Sequence, residues 1–268
     1  MSESTFDVQD VTYRYDDVTA LDGLTLSIKR GQRVAVLGAN GSGKSTLLRL
    51  LDGLYFPEKG KVNFFGVPLS ELTLRNDEFA YDFRRRVALV FQNADVQLFN
   101  PTVFDEIAFG PLQLCWSKSE IRRRVTETLE LMDIAHLKDR SPHRLSGGEK
   151  KRVALASVLI LEPEVLLLDE PTAALDPKSQ SRLIDFLVEW GGGNKTVVTA
   201  THDLGIVEEI ADHCYVFQHG RVVAEGTPKE ILDDEQLLRQ TNLIHAHRHR
   251  HESGEVHSHP HTHHRHEH

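Results

Sequence analysis

Gly38-Ala-Asn-Gly-Ser-Gly-Lys-Ser45 follows the apolar run Arg33-Val-Ala-Val-Leu37 and precedes a segment in which Leu47, Leu48, Leu50, Leu51 and Leu54 share one helical face. A short buried strand, a glycine-rich turn and an amphipathic helix are expected in that order. The turn fits GxxxxGK[ST] in the context its chemistry requires. Gly38, Gly41 and Gly43 let backbone N–H groups close around phosphate oxygens, and the helix start adds its positive dipole end. Asn40, Ser42 and Thr46 lie within the same loop and helix start. Lys44 is expected to pair the β- and γ-phosphates, with the Ser45 hydroxyl on Mg²⁺. A glycine turn with no ligand is the competing structural reading, and the strand–turn–helix setting disfavours it.

A second apolar run, Val165-Leu-Leu-Leu-Asp169-Glu170, ends in two carboxylates. Ligands of open α/β sheets collect at the carboxyl ends of strands. Asp169 is therefore expected to orient Mg²⁺, and Glu170 to polarise an attacking water. Further strands are expected at Val62–Phe65, Val87–Phe91, Thr196–Ala200 and Tyr215–Gln218. Alternating residues Val11, Tyr13, Tyr15 and Leu24, Leu26, Ile28 point to antiparallel strands at the N-terminus. The expected class is α/β, with a parallel nucleotide-binding sheet, an antiparallel N-terminal subdomain and a helical lobe inserted over about 93–162.

Composition narrows the function. The 268 residues carry a formal charge of −9, which argues against a general nucleic-acid binder. Cys115 and Cys214 are far apart and form neither a disulfide framework nor a zinc ribbon. The first residues lack the basic and apolar regions of a signal peptide. The longest near-apolar run, Val153 to Leu161, is half of what a membrane span needs. A membrane role would have to come from another polypeptide.

Leu145-Ser-Gly-Gly-Glu149 opens another helical stretch and stands 24 residues before Asp169. The order phosphate loop, Gln92, LSGGE, LLLDE and His202 resembles the ABC ATPases over nearly all of residues 6–235. The resemblance implies that Ser146, Gly147 and Gly148 contact ATP held by the phosphate loop of a second subunit, so a dimer is expected, and a homodimer is feasible. It also implies that Tyr15 stacks on adenine and that Gln92 senses Mg²⁺ and water. Ala173-Ala-Leu-Asp176 would cross the dimer interface, and His202 would position the water against the γ-phosphate. Catalysis would then rest on Glu170, His202 and Lys44.

The segment Phe91-Gln-Asn-Ala-Asp-Val-Gln-Leu-Phe-Asn-Pro-Thr-Val-Phe-Asp-Glu-Ile-Ala-Phe-Gly-Pro111 resembles the energy-coupling-factor group. It departs from that group's usual text at Ala94, for proline, and Glu106, for aspartate. The resemblance implies a transmembrane coupling subunit, a substrate-binding membrane subunit and a peripheral position on the cytoplasmic face of the membrane. Residues 1–244 would form the ATPase domain, and 245–268 a disordered tail. Eleven of those 24 tail residues are histidine: His245, His247, His249, His251, His257, His259, His261, His263, His264, His266 and His268. Imidazole suits Ni²⁺, Co²⁺ and Zn²⁺, and no more than two histidines are adjacent, unlike a purification tag. The combined expectation is a cobalt or nickel importer ATPase. Alternatives are an importer of another substrate such as a vitamin or zinc, a soluble ATPase of iron–sulfur assembly, and a metal-storage protein. Repair-type relatives are disfavoured because Lys44 and Ser146 are 102 residues apart, leaving no room for a coiled-coil arm.

Overall fold

The computed structural model describes residues 4–244 and the backbone of 246–250 and 256–260. Strands β1 (Ser4–Tyr15) and β2 (Val18–Lys29) pair antiparallel, placing Phe6 opposite Ile28, Val8 opposite Leu26 and Val11 opposite Leu24. All six side chains are buried, so alternation along the pleat turns one face of this sheet into the core. β3 (Arg33–Leu37) leads through the phosphate loop into α1 (Lys44–Leu51). β4 (Lys59–Phe64) returns to pair with β1, and the two-residue β5 (Val67–Pro68) completes the order β2-β1-β4-β5.

Helices α2 (Glu71–Leu74) and α3 (Asp77–Arg86) follow, where no element is expected from the sequence. β6 (Val87–Val90) then enters the helical lobe, formed by α4 (Val103–Gln113), α5 (Lys118–Leu131) and α6 (Gly147–Leu159). The chain comes back through β7 (Val165–Asp169), α7 (Pro177–Trp190), β8 (Thr196–Thr201) and α8 (Val207–Ile210). A hairpin of β9 (His213–Gln218) and β10 (Arg221–Gly226) precedes α9 (Pro228–Asp233) and α10 (Glu235–Gln240). The second sheet runs β10-β9-β3-β8-β7-β6, parallel except for its β10 edge.

Every residue of β7 is buried, as a strand covered on both faces requires. Its alternating side chains go to different cores. Val165 and Leu167 join Leu47, Leu48 and Leu51 of α1, while Leu166 and Leu168 join Val153 and Leu155 of α6. One strand thus ties the phosphate loop's helix to α6, the signature helix that Leu145-Ser-Gly-Gly-Glu149 opens. Ser146 caps α6 through a reciprocal box with Glu149, which fixes where that helix begins.

In the tail, Ala246–Arg250 and Val256–Pro260 pair as a two-stranded antiparallel ladder, and the rest of the segment 245–268, expected to be disordered, lies outside the described residues. His247, His249, His257 and His259 fall on these strands; the other seven tail histidines lie outside the described residues.

Glu106, the longer residue where the related group has aspartate, is buried, and its Oε2 accepts from the backbone N–H groups of Phe99 (2.9 Å) and Asn100 (2.7 Å). It secures the turn entering the lobe. Glu106→Ala should lower the unfolding free energy by about 2 kcal/mol, since two donors lose a charged acceptor. The check is a lower denaturant midpoint at constant slope.

Candidate functional site

The phosphate loop is shaped by close approach. Gly43 has φ 107°, and a Cβ there would lie 2.7 Å from the Ala20 carbonyl oxygen and 2.8 Å from Leu21 Cδ2. Only glycine satisfies both constraints at the start of α1. Lys44 is 5% exposed and folds back so that Nζ donates to the Gly38 carbonyl (2.7 Å) and the Ala39 carbonyl (3.3 Å). Ser42 Oγ is buried with no hydrogen-bond partner. An orphan hydroxyl beside a glycine cradle and a buried ammonium fits a phosphate acceptor.

The carboxyl ends of β7 and β8 face this loop. Ser45 Oγ donates to Asp169 Oδ1 at 3.0 Å, a hard-oxygen pair suited to Mg²⁺. Burial pushes the Asp169 carboxyl above the usual range, and the Ser45 hydrogen bond partly offsets that. Glu170 is 4% exposed and sits at φ 45°, a left-handed backbone conformation that non-glycine residues rarely adopt. Three groups hold its carboxylate. The Thr201 hydroxyl donates to Oε2 (3.1 Å), His202 Nδ1 lies 2.8 Å from Oε1, and Lys44 Nζ lies 3.5 Å from Oε1.

A cleft of about 260 Å³ collects Tyr15, Asn40, Gly41, Gly43, Lys44, Ser45, Thr46, Gln92 and Glu170 in one place. Tyr15 is anchored at one end, its hydroxyl 3.3 Å from Thr46 Oγ1 and accepting from Arg49 Nη1 at 3.2 Å. Edge contacts with Tyr13 and Tyr55 fix the ring.

Ser146, Gly147, Gly148 and Asp176 do not line this cleft. They form a second cluster. A Cβ on Gly148 would meet Ser179 Oγ at 3.0 Å, and one on Gly147 the Ala174 carbonyl at 3.9 Å. Asp176 caps α7 through Ser179, with its oxygens accepting from the backbone N–H (3.1 Å) and the hydroxyl (2.6 Å). The sequence-predicted residues therefore fall into two separate groups in the chain. Thr201, absent from the sequence-based set, signals itself only by ending β8 next to His202. No cluster of metal-ligating side chains occurs among the described residues.

A phosphate cradle, an oxygen pair for Mg²⁺ and a held glutamate define an ATP-hydrolysing cassette. The chain belongs to the ABC transporter family, whose model matches residues 21–173. The nickel import ATP-binding protein NikO of Rhodobacter capsulatus is 54% identical over 242 residues, covering 89% of this chain and 95% of that protein. The energy-coupling factor transporter ATP-binding protein EcfA of Methanocaldococcus jannaschii is 42% identical, covering 88% and 84%. Among solved structures, CbiO1 of Clostridium perfringens, part of the ABC transporter complex CbiONQ, superposes with a TM-score of 0.75 at 40% identity, covering 90% and 95%. A dimeric ATP-binding cassette in a post-hydrolysis state with ADP and phosphate gives 0.74 at 29% identity, covering 83% and 98%.

Thr201→Val removes the hydroxyl that donates to Glu170 and leaves the buried strand's shape nearly intact. ATP turnover should fall by about fivefold with ATP affinity within twofold, since the loss of about 1 kcal/mol falls on the positioned carboxylate. Steady-state hydrolysis and nucleotide titration, run together, check the split.

Proposed function

We propose that this chain is the ATPase subunit of an energy-coupling-factor importer for nickel or cobalt ions, working as a homodimer on the cytoplasmic face of the membrane. The observation that carries the cargo assignment is the 54% identity with a nickel import ATP-binding protein along nearly the whole of both chains. The likeness to a subunit of CbiONQ and the histidine-rich tail support it. No helix among the described residues is long and apolar enough to cross a membrane, consistent with a separate transmembrane partner. Val96, Phe99, Phe109 and Leu112 leave apolar area exposed beside the Gln92 turn, a surface suited to such a partner's helix.

In the proposed reaction, water attacks the γ-phosphorus in line with the departing ADP. The phosphate loop N–H groups and Lys44 hold the β- and γ-oxygens, which displace the Gly38 carbonyl and Glu170 from the ammonium. Ser45, Asp169 and Gln92 would hold Mg²⁺, which would supply positive charge to offset that of the phosphate oxygens. Glu170, kept in place by Thr201, accepts a hydrogen bond from the attacking water, orients it and takes its proton as the new P–O bond forms and the bond to ADP breaks. His202 bridges Glu170 and the γ-phosphate. Tyr15 packs on the adenine ring. Ser146, with Gly147 and Gly148, presents a helix N-terminus to the γ-phosphate bound by the partner copy, and Asp176 lies at that interface. Closure of two copies excludes bulk water and completes both sites.

Glu170→Gln should keep ATP affinity within twofold and reduce turnover at least a hundredfold, the usual range for loss of a general base. Fast steady-state hydrolysis by that variant would remove Glu170 from its role. Uptake of radiolabelled nickel, cobalt and zinc by cells expressing the chain with its membrane partners tests the cargo. Nickel or cobalt should accumulate in an ATP-dependent way, and a soluble assembly partner would overturn the transport reading. Removing 245–268 should spare ATPase activity and weaken uptake at low metal. Uptake unchanged at every metal concentration would dissociate the tail from the cargo.

A further inference from the structure

Lys151 lies on the first turns of α6 and is 4% exposed. Its side chain faces into the molecule, where Nζ donates to the carbonyl oxygens of Phe91 and Gln92, each at 3.0 Å. Burial lowers its pKa to about 8, and the nearby carboxylates of Asp169 and Glu170 oppose that shift. The ammonium therefore occupies the junction between the Gln92 turn, the acidic end of β7 and the signature helix.

Two further links run in parallel. Gln97 accepts from the Phe91 N–H through Oε1 (3.3 Å), and its Nε2 donates to the Ala154 carbonyl of α6 (2.9 Å). Lys150 Nζ bonds Asp95 Oδ1 at 2.6 Å on the surface, where screening makes the pair weak. The buried links decide the matter. Neither Phe91 nor Gln92 can shift its carbonyl without stranding a buried ammonium, which costs more than breaking a solvated pair.

We propose that Lys151 is a positioning residue that locks the Gln92 turn to the signature helix, so that one protomer's phosphate site sets where its own Ser146 meets the other protomer's ATP. The proposal rests on the composite-dimer reading above. Gln92 lines the cleft of its own chain, whereas Ser146 starts a helix outside it. A rigid bond between the two transmits occupancy of one site to the completion of the other. Coupling of this kind needs a contiguous element that both sites bias, and Lys151 supplies the joint.

The test uses full-length Glu170→Gln protein, in which bound ATP persists. Adding Lys151→Met removes the donors while keeping the side chain's bulk. The fluorescent-ATP affinity of the dilute monomer should stay within twofold, while the ATP concentration for half-maximal dimerisation rises at least tenfold. In the hydrolysing background the Hill coefficient for ATP should fall towards one. Lys151→Arg, which keeps charge and donors, should restore both. A purely structural role would instead weaken monomer binding and dimerisation together. Unchanged ATP-driven dimerisation in the methionine variant, or parallel loss of monomer binding, overturns the proposal.

Hydrogen exchange of Glu170→Gln alone needs no substitution at Lys151. On ATP addition, residues 91–98 and 145–152 should gain protection over the same concentration range. Protection of one segment without the other overturns the coupling while leaving the dimer intact. If the Glu170→Gln protein forms no ATP-dependent dimer at all, the composite-site reading fails and the proposal falls with it.

Discussion

Three charged groups, Lys44, Asp169 and Glu170, each about 5% exposed, meet at the carboxyl edge of the parallel sheet, Lys44 from the loop after β3 and the two carboxylates from the end of β7. Desolvating that many charges is expensive, and the cost is tolerable only because each finds a partner of fixed geometry. Lys44 has two loop carbonyls and Glu170, Asp169 has Ser45, and Glu170 has Thr201 and His202. The strand order β3-β8-β7 is what puts those partners within reach. Phosphate chemistry and fold are thus the same constraint viewed from two sides. The sheet exists in this order because the charges must meet, and the charges can be buried because the sheet fixes where they meet.

The Ser146 cluster, which the proposed mechanism makes the second half of the site, is built differently. Ser146 begins α6, and Glu149 Oε2 accepts from its backbone N–H (2.7 Å) and its hydroxyl (2.8 Å). Those two bonds hold the Glu149 carboxyl below the usual range. Its stabilising effect is present above the ordinary carboxylate pKa and is lost as pH falls through the lowered value. This half therefore stays organised at neutral pH with no nucleotide near it. Its position follows from α6 packing on Leu166 and Leu168 of β7, the strand that also carries Asp169.

The site was readable where function is encoded locally. The phosphate loop, the LLLDE strand and LSGGE each compress a strand end or helix start into eight residues or fewer, so backbone role and side-chain chemistry appear together. The parallel sheet followed from continuous apolar runs such as Val165–Leu168. Long-range partners were not readable. Thr201 meets Glu170 across 31 residues, and Lys151 reaches Phe91 across 60. No local spacing reports such a contact, because it depends on which strands become neighbours. Asp176 shows a related limit: its text marks an interface loop, yet in the chain its carboxylate is engaged as the cap of α7. The β10 hairpin and α3 were silent because their buried residues are few, Ala80 and Phe83 in α3 and none in β10.

Both halves of the site hold an internal acceptor where the proposed mechanism places a phosphate oxygen. Lys44 rests on the Gly38 carbonyl and Glu170, and the Ser146 hydroxyl and N–H rest on Glu149. The Lys44 and Ser146 donors are therefore not orphaned, and of the loop's side chains it is Ser42, whose buried Oγ has no partner, that bears the penalty of an unsatisfied group. Closure then becomes an exchange of acceptors, in which γ-phosphate oxygens replace a carbonyl and two carboxylates. An exchange of this kind has a small net driving force, so it discriminates sharply between ligands. ADP can satisfy the phosphate loop's N–H groups, but it offers nothing to Ser146, whose capping box then remains the better arrangement. In the proposed dimer, ATP would reach both sets of donors at once. On this account the dependence of dimer closure on the γ-phosphate comes as much from Glu149 and Gly38, which keep the empty site satisfied, as from the residues that touch the nucleotide.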